Sequence, residues 1–168
     1  MLSMGILSKQ HQDLNYLVVG LGVSGFSVAN YLLTLGLRCR VQDTRDIPPF
    51  LQQLKRLHPQ VEVVKATLDN KLVEWADVLI VSPGLSIRQA QISHAAELGK
   101  SVIGDIELFA QVADKPIVAI TGSNGKSTVT RLVGDMISAD GKQAGVGGNI
   151  GTAALELLSS PADYYVLE

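Results

Sequence analysis

The sequence contains almost no cysteine. Cys39 is the single cysteine in 168 residues, which excludes an internal disulfide framework and makes a reduced, cytosolic setting the default. We expect Cys39 to be a buried packing residue.

Excess charge and long apolar runs are also missing. The net charge of -2 provides no global basic field, so nucleic acid is not an expected partner. No apolar run approaches the roughly 20 residues that span a bilayer, and residues 1–12 lack the apolar core and cleavage site of a secretory signal. We therefore expect a cytoplasmic protein without membrane insertion, preceded by a short disordered lead-in over residues 1–12.

The histidines show no metal-ligand spacing. His11, His58 and His94 stand far apart, and no Ser/His/Asp or Cys/His constellation can be built from them, so we expect surface or cap positions. Trp75 precedes an apolar run and is interpreted as a packing residue.

Five apolar, β-branched runs alternate with helix-like stretches, which predicts βαβ units and a parallel sheet. The runs are YLVVG (16–20), RCRVQD (38–43), VEVVKA (61–66), DVLIVS (77–82) and SVIGD (101–105). Two of the intervening stretches, 24–36 and 86–100, carry apolar residues near the 3.6-residue period and end at Gly36 and Gly99. The pattern is typical of a Rossmann-like α/β domain.

After Gly104 the pattern starts again. A short helix, the strand PIVAIT, a helix over 126–141, a short helix near 152–158 and the strand-like DYYVLE follow in order. We predict a first domain over residues 1–104 and the beginning of a P-loop ATPase α/β domain over residues 105–168. About three strands fit into this second part, whereas sheets usually hold about five or six, so we expect the second domain to be cut short.

The segment TGSNGKST follows a predicted strand and opens a predicted helix, which is the context of a phosphate-binding P-loop. The amides of 122–127 would face phosphate oxygens, Lys126 would neutralise the terminal phosphate, and the Ser127 hydroxyl would reach Mg²⁺. The general pattern GxxxxGK[ST] needs a glycine where Ile120 stands, so the loop is a tighter variant. A turn capped by Ser123 or Asn124 is the alternative.

Glu168 ends the strand that follows the P-loop. A carboxylate there lies at the carboxyl edge of a parallel sheet, where ligands of α/β proteins bind, and Glu168 is thus a candidate Mg²⁺ ligand. A solvated terminal charge is the other interpretation.

GLGVSG, residues 20–25, matches GxGxxG after the first strand, and Asp43 ends the second strand at dinucleotide-like spacing. The motif indicates a nucleotide or diphosphate at a helix N-terminus without specifying which. Thr44 and Arg45 follow, so a ribose, a base or a phosphate could be bound there. SPGLS, 82–86, ends another strand at the same edge. An ordinary tight strand-to-helix turn remains the alternative.

Taken together, seven segments resemble the Mur ligases of peptidoglycan synthesis, and within them the branch that adds D-glutamate. They are GLGVSG, DTR, SPG, GDIELF, VAITGSNGKSTVT, GVGGNIG and YYVLE. The likeness covers nearly the whole chain after residue 14, and a compact P-loop is a feature of the family.

The resemblance implies an ATP-dependent amide ligase of three domains. ATP, with Mg²⁺, would phosphorylate the alanyl carboxylate of UDP-N-acetylmuramoyl-L-alanine, and the amine of D-glutamate would attack the acyl phosphate. The implied UDP-substrate residues are Val23, Ser24, Asp43, Thr44, Arg45, Gly84 and Asn149. The implied ATP-binding residues are Gly122, Ser123, Asn124, Gly125, Lys126, Ser127 and Thr128, with Lys126 catalytic and Ser127 and Glu168 holding the metal.

The resemblance also places Asn149 where the sugar substrate meets the ATP site, and D-glutamate contacts beyond residue 168. Because further metal-site residues and a C-terminal domain of the family have no counterpart here, we expect no turnover by these 168 residues alone. The implied parent enzyme is a monomer. Alternatives are another Mur ligase or a folylpolyglutamate synthase relative, an NAD(P)-dependent oxidoreductase, and a stand-alone nucleotide-binding module.

Overall fold

A computed structural model describes residues 12–85 and 90–168. Residues 1–11, which include His11 and all of the predicted lead-in except Gln12, fall outside the described residues. So do residues 86–89, at the start of the predicted helix over 86–100. The chain divides into two compact units, with the change from one to the other between Leu108 and Phe109.

The first unit is built on one parallel sheet. Its strands are β1 (Asn15–Val19), β2 (Arg38–Asp43), β3 (Glu62–Lys65), β4 (Val78–Val81) and β5 (Ser101–Ile103), in the order β3-β2-β1-β4-β5. Its helices are α1 (Val23–Thr34), α2 (Leu51–Leu57), α3 (Asn70–Trp75) and α4 (Ala90–Glu97), and α5 (Asp105–Val112) contains the change of unit. The predicted Rossmann-like α/β architecture is confirmed.

The central strands are apolar along their length because both faces of the sheet are covered. All four residues of β4 are buried, and on one face Leu17, Val19 and Leu79 form a core with residues of α3 and α4. The strand order reverses between β1 and β4, and ligands of open α/β sheets bind at the carboxyl side of such a point.

Helices α1 and α4 end at the predicted glycines. Gly36 has φ of +75° and Gly99 has φ of +71°, a region open to glycine. The N–H of Gly36 donates to Leu33 and the N–H of Leu37 to Leu32, so the last carbonyls of α1 are satisfied.

The second unit has a smaller parallel sheet. Strands β6 (Ile117–Ala119), β7 (Ala144–Gly147) and β8 (Tyr164–Leu167) lie in the order β6-β8-β7, helix α6 (Lys126–Ala139) joins β6 to β7, and a 3₁₀ helix spans Ala154–Ser159. Apart from β7, the elements follow the predicted order. Strand β7 was not predicted, because two of its four residues are glycines that carry no apolar pattern.

Three residues outside the motifs occupy the expected kinds of position. Cys39 is buried and free. Trp75 packs against the core, and the Arg40 guanidinium lies 4.2 Å from the centre of its ring. His58 follows α2 as its cap, and its ring is 2.9 Å from Oδ1 of Asn30. In the described ranges, none of the helices combines the length and apolarity needed to cross a membrane.

Candidate functional site

The first glycine turn joins β1 to α1 and depends on two glycines. Gly20 has φ of +94°, and a side chain on Gly25 would overlap the carbonyl oxygen of Gly20. The Ser82 hydroxyl, at the end of β4, donates to that same oxygen at 3.1 Å. Glycine at both positions therefore lets the first turn of α1 lie directly against the end of β1.

The turn presents backbone N–H groups that its own chain does not use. Within the part of the chain that the structure describes, the N–H groups of residues 22–25 have no acceptor. They begin a helix of 12 residues, whose dipole leaves partial positive charge at this end. Such a helix start is suited to a phosphate or another anion.

Asp43 connects this turn to the end of β2. Its Oδ2 accepts the N–H of Leu21 at 2.7 Å, and its Oδ1 accepts the N–H of Arg45 at 2.9 Å. The Arg45 guanidinium adds two bonds, from Nε to Oδ1 at 2.8 Å and from Nη2 to Oδ2 at 2.6 Å. Each carboxylate oxygen thus has two donors.

These contacts keep Asp43 ionised. The hydrogen bonds from Arg45, helped by the backbone N–H of Leu21, lower the pKa of Asp43 to about 2 against the opposing effect of burial. A carboxylate oxygen accepts about two hydrogen bonds, so a ribose hydroxyl would find no acceptor on Asp43 unless Arg45 moved. Asp43 is the residue that most favours an NAD(P) site in the sequence, and its carboxylate is therefore already occupied by hydrogen bonds from Leu21 and Arg45.

The predicted UDP-substrate residues of the first unit come together at one edge of the sheet. Val23 and Ser24 open α1, Thr44 and Arg45 follow β2, and Gly84 follows β4. Of these five residues, all but Ser24 are exposed, whereas Asp43, the sixth predicted residue of the first unit, is buried. Because β2 and β4 flank β1, these residues surround the glycine turn.

Two residues near this turn were not singled out from the sequence. The Leu21 N–H fixes Asp43, and Asp105, only 9% exposed, lines a small pocket together with Ser24 and Ser82. A backbone donor leaves no trace in a sequence. Asp105 is part of GDIELF, but nothing in that segment shows which way its carboxylate points.

The second glycine turn joins β6 to α6 and has the geometry of an open phosphate loop. Gly122 has φ of +154° and Gly125, which caps α6, has φ of +74°. For the described residues, no acceptor takes the N–H groups of residues 122–128. Seven successive residues, Gly122 to Thr128, thus offer free donors at the positive end of a 14-residue helix.

Glu168 lies beside this loop, at the end of β8. Its Oε2 accepts the Ser127 hydroxyl at 2.5 Å, and its Oε1 accepts the side-chain amide of Asn149 at 3.2 Å. The Ser127 hydrogen bond is the main cause that lowers the pKa of Glu168. Asn149 and the positive charges of Lys126 and Arg131 act in the same direction.

Asn149 belongs to the second unit, whereas the other six predicted UDP-substrate residues belong to the first. The contact that the structure gives its side chain is with Glu168. Its predicted role toward the sugar substrate stays a prediction.

The oxygen ligands beside the second glycine turn are of the kind that Mg²⁺ binds. A carboxylate and a hydroxyl are hard oxygen ligands, and Mg²⁺ commonly binds through one or two carboxylates together with substrate phosphates and water. Across residues 12–85 and 90–168, no group of three or more His, Cys, Asp or Glu side chains could hold a metal by itself. The set at Ser127 and Glu168 thus suits a cation that arrives with phosphate oxygens.

The two turns define the class of protein. Each follows a parallel strand, opens a helix and exposes free N–H groups, which is the geometry of nucleotide-binding α/β proteins. A solved ligase from Neisseria meningitidis, UDP-N-acetylmuramate:L-alanyl-γ-D-glutamyl-meso-diaminopimelate ligase, has the same fold. It matches with a TM-score of 0.58 and 20% identity over 92% of this chain and 52% of its own.

The particular family follows from the sequence comparison. The family model of the Mur ligase MurD-like N-terminal domain matches residues 14–104, and the chain belongs to that family. UDP-N-acetylmuramoylalanine–D-glutamate ligases from Pseudomonas aeruginosa and Pseudomonas fluorescens are 53% and 52% identical over 98% of the chain. The chain spans about a third of their length, 36% in each case.

Proposed function

We propose that the chain supplies the UDP-substrate and ATP-binding parts of an ATP-dependent amide ligase that joins D-glutamate to UDP-N-acetylmuramoyl-L-alanine. The observation that carries the proposal is the identity of 53% to such a ligase over 98% of the chain, which includes both glycine turns. Residues 1–104 form the UDP-substrate domain and residues 105–168 the start of the ATP-binding domain. The reaction belongs to the cytoplasm, and the complete enzyme acts as a monomer.

The first unit binds the uridine diphosphate end of the substrate. Free N–H groups at the start of α1, near Val23 and Ser24, take the diphosphate, and Gly84 lines the same edge. Asp43 holds Arg45 and the Leu21 amide in place. Thr44 and the half-exposed Arg45 then face the uridine.

The second unit binds ATP. The N–H groups of residues 122–128 take the phosphates, and the Lys126 ammonium stabilises the negative charge that develops on the transferred phosphoryl group. Ser127 and Glu168 hold Mg²⁺, which when bound neutralises phosphate charge and helps to orient the terminal phosphoryl group.

The reaction has two steps, phosphoryl transfer and then amide formation. An alanyl carboxylate oxygen of the UDP substrate attacks the terminal phosphorus of ATP, and ADP leaves with the electrons of the broken P–O bond. The amine of D-glutamate then attacks the acyl carbon, phosphate leaves, and the nitrogen loses a proton to give the amide.

Two alternatives are less well supported. An oxidoreductase would use the first turn and Asp43 for NAD(P), but the Asp43 carboxylate is fully engaged by Leu21 and Arg45, and the P-loop would have no role. A Mur ligase of another amino-acid specificity, or a folylpolyglutamate synthase relative, would share the P-loop. The D-glutamate ligases at 52% and 53% identity favour the branch named above.

Calorimetric titration of three variants with ATP·Mg²⁺ and with UDP tests the assignment of the two ligands. Lys126→Ala should weaken ATP binding by about 10-fold or more, the effect of losing a charge-assisted contact, and leave UDP binding unchanged. Arg45→Ala should do the reverse. Lys142→Ala is the matched control, because Lys142 pairs with Asp140 at the far end of α6. If Lys126→Ala weakened ATP no more than Lys142→Ala, the ATP assignment would be wrong.

A further inference from the structure

The loop that follows β7 is joined to the end of β8 by three hydrogen bonds. The N–H of Glu168 donates to the carbonyl oxygen of Gly147 at 3.0 Å, and the N–H of Asn149 donates to the carbonyl oxygen of Glu168 at 3.2 Å. The side-chain amide of Asn149 adds the bond to Oε1 of Glu168 at 3.2 Å. Asn149 thus holds Glu168 through both backbone and side chain.

Gly148 is what allows the loop to come this close. Its φ is +100°, and a side chain there would place Cβ 2.8 Å from the carbonyl oxygen of Glu168, closer than real side chains approach. A larger residue would push the loop away from β8. The glycine therefore sets the distance at which the Asn149 amide meets the carboxylate.

The two oxygens of Glu168 are held from different elements. Ser127, at the start of α6, donates to Oε2, and Asn149 donates to Oε1. A carboxylate oxygen accepts more than one partner, so each oxygen keeps a lone pair for a cation. A glutamate without these donors would have to be ordered from several rotamers when a cation binds, which costs conformational entropy.

We propose that Asn149 is a positioning residue for Glu168, whose carboxylate it orients for the divalent cation that accompanies ATP. The inference rests on the proposed ATP site, since Glu168 has a metal to bind only there. Asn149 acts through Glu168 and has its effect without touching the nucleotide. This role is separate from a contact with the sugar substrate, and the two make different predictions.

The test uses the full chain and measures how much Mg²⁺ improves ATP binding. ATP is titrated calorimetrically in EDTA and again in Mg²⁺, with the wild-type chain, Asn149→Ala, Glu168→Gln and the double variant. Gln143→Ala is the matched control: it removes an amide side chain just before β7, at the end of the strand remote from Asn149.

Asn149→Ala should leave ATP binding in EDTA unchanged, which also shows that the P-loop is folded. Its gain in affinity on adding Mg²⁺ should fall about 10-fold, the lower end of what loss of a partner behind a metal ligand usually does. In the Glu168→Gln background, Asn149→Ala should have no further effect, because residues that act through one another are not additive. Gln143→Ala should behave as wild type.

Each other outcome identifies what is wrong. If Asn149→Ala keeps the full Mg²⁺ gain, or if its effect adds to that of Glu168→Gln, the positioning role is overturned while the ATP site stands. Equal weakening in EDTA and in Mg²⁺ also overturns it, because the metal is then not involved. A folded wild-type chain that binds ATP in neither condition overturns the proposed ATP site and the inference with it.

Discussion

The contact between Gly25 and Gly20 makes a substitution test of the first glycine turn possible. A Cβ built on Gly25 lies more than 1 Å closer to the carbonyl oxygen of Gly20 than the 3.0 Å that real side chains keep. The obstacle is backbone, which cannot rotate aside as a side chain would. Gly25→Ala must therefore separate α1 from the end of β1.

The expected cost is at the upper end of the usual range for overpacking, about 3 kcal/mol. For a unit of about 100 residues, each kcal/mol lowers the midpoint of thermal unfolding by about 4–8 °C, so we expect a fall of about 12 °C or more. Trp75 is the single tryptophan and packs against the core of the first unit. Its fluorescence therefore reports the unfolding of that unit alone.

Gly104→Ala provides the control in the same unit. A Cβ on Gly104 would have nothing within 4 Å, and its φ lies outside the left-handed region, so the free energy of unfolding should change by less than about 1 kcal/mol. Gly25→Ala should also lose UDP binding, because the N–H groups of residues 22–25 move with α1. If the two variants unfold at the same temperature, the close approach of Gly25 to the carbonyl oxygen of Gly20 is wrong.

Three further predictions use the same fluorescence assay or simple thiol chemistry. Ser27, 3% exposed, has a hydroxyl without a partner among the described residues, so Ser27→Ala should raise the free energy of unfolding by about 1 kcal/mol; a loss would show that the hydroxyl is bonded. The pKa of Asp43 is lowered to about 2, so the contribution of its ionised carboxylate to the free energy of unfolding is complete above about pH 4 and is lost as the pH falls toward 2. Arg45→Ala should remove about 1–2 kcal/mol of this acid-dependent stability, and an unchanged pH profile between 4 and 2 would contradict the pairing. Burial raises the pKa of the Cys39 thiol to about 12, so iodoacetamide at neutral pH should modify it only after unfolding; rapid modification of the folded chain would place the thiol at the surface.

The parallel sheet of the first unit was predictable because the patterns that indicate its strands and longer helices lie within short stretches of the sequence. A continuous apolar run such as β4 indicates a buried strand, and the 3.6-residue period of α1 ends at Gly36 as the structure has it. The short helices α2 and α3, with seven and six residues, are too brief to show a clear period. Their existence was implied by the alternation, but their bounds were not.

The candidate sites were predictable in composition but not in their contacts. The glycines and Lys126 follow from spacing. The pairing of Asn149 with Glu168 does not, because the two residues stand 19 positions apart and meet only through the parallel pairing of β7 with β8. Arg45 was a candidate for a phosphate contact, and the structure directs it to Asp43, a choice that depends on local backbone geometry.

We propose that the first glycine turn recognises a uridine diphosphate and not a nicotinamide dinucleotide. Calorimetric titration of the folded chain with UDP-N-acetylmuramoyl-L-alanine, with UDP and NADH in parallel and circular dichroism to confirm folding, tests it most directly. We expect saturable binding of both uridine ligands and no heat from NADH beyond dilution. Binding of NADH in place of the uridine ligands, or a folded chain that binds neither of them, would contradict it.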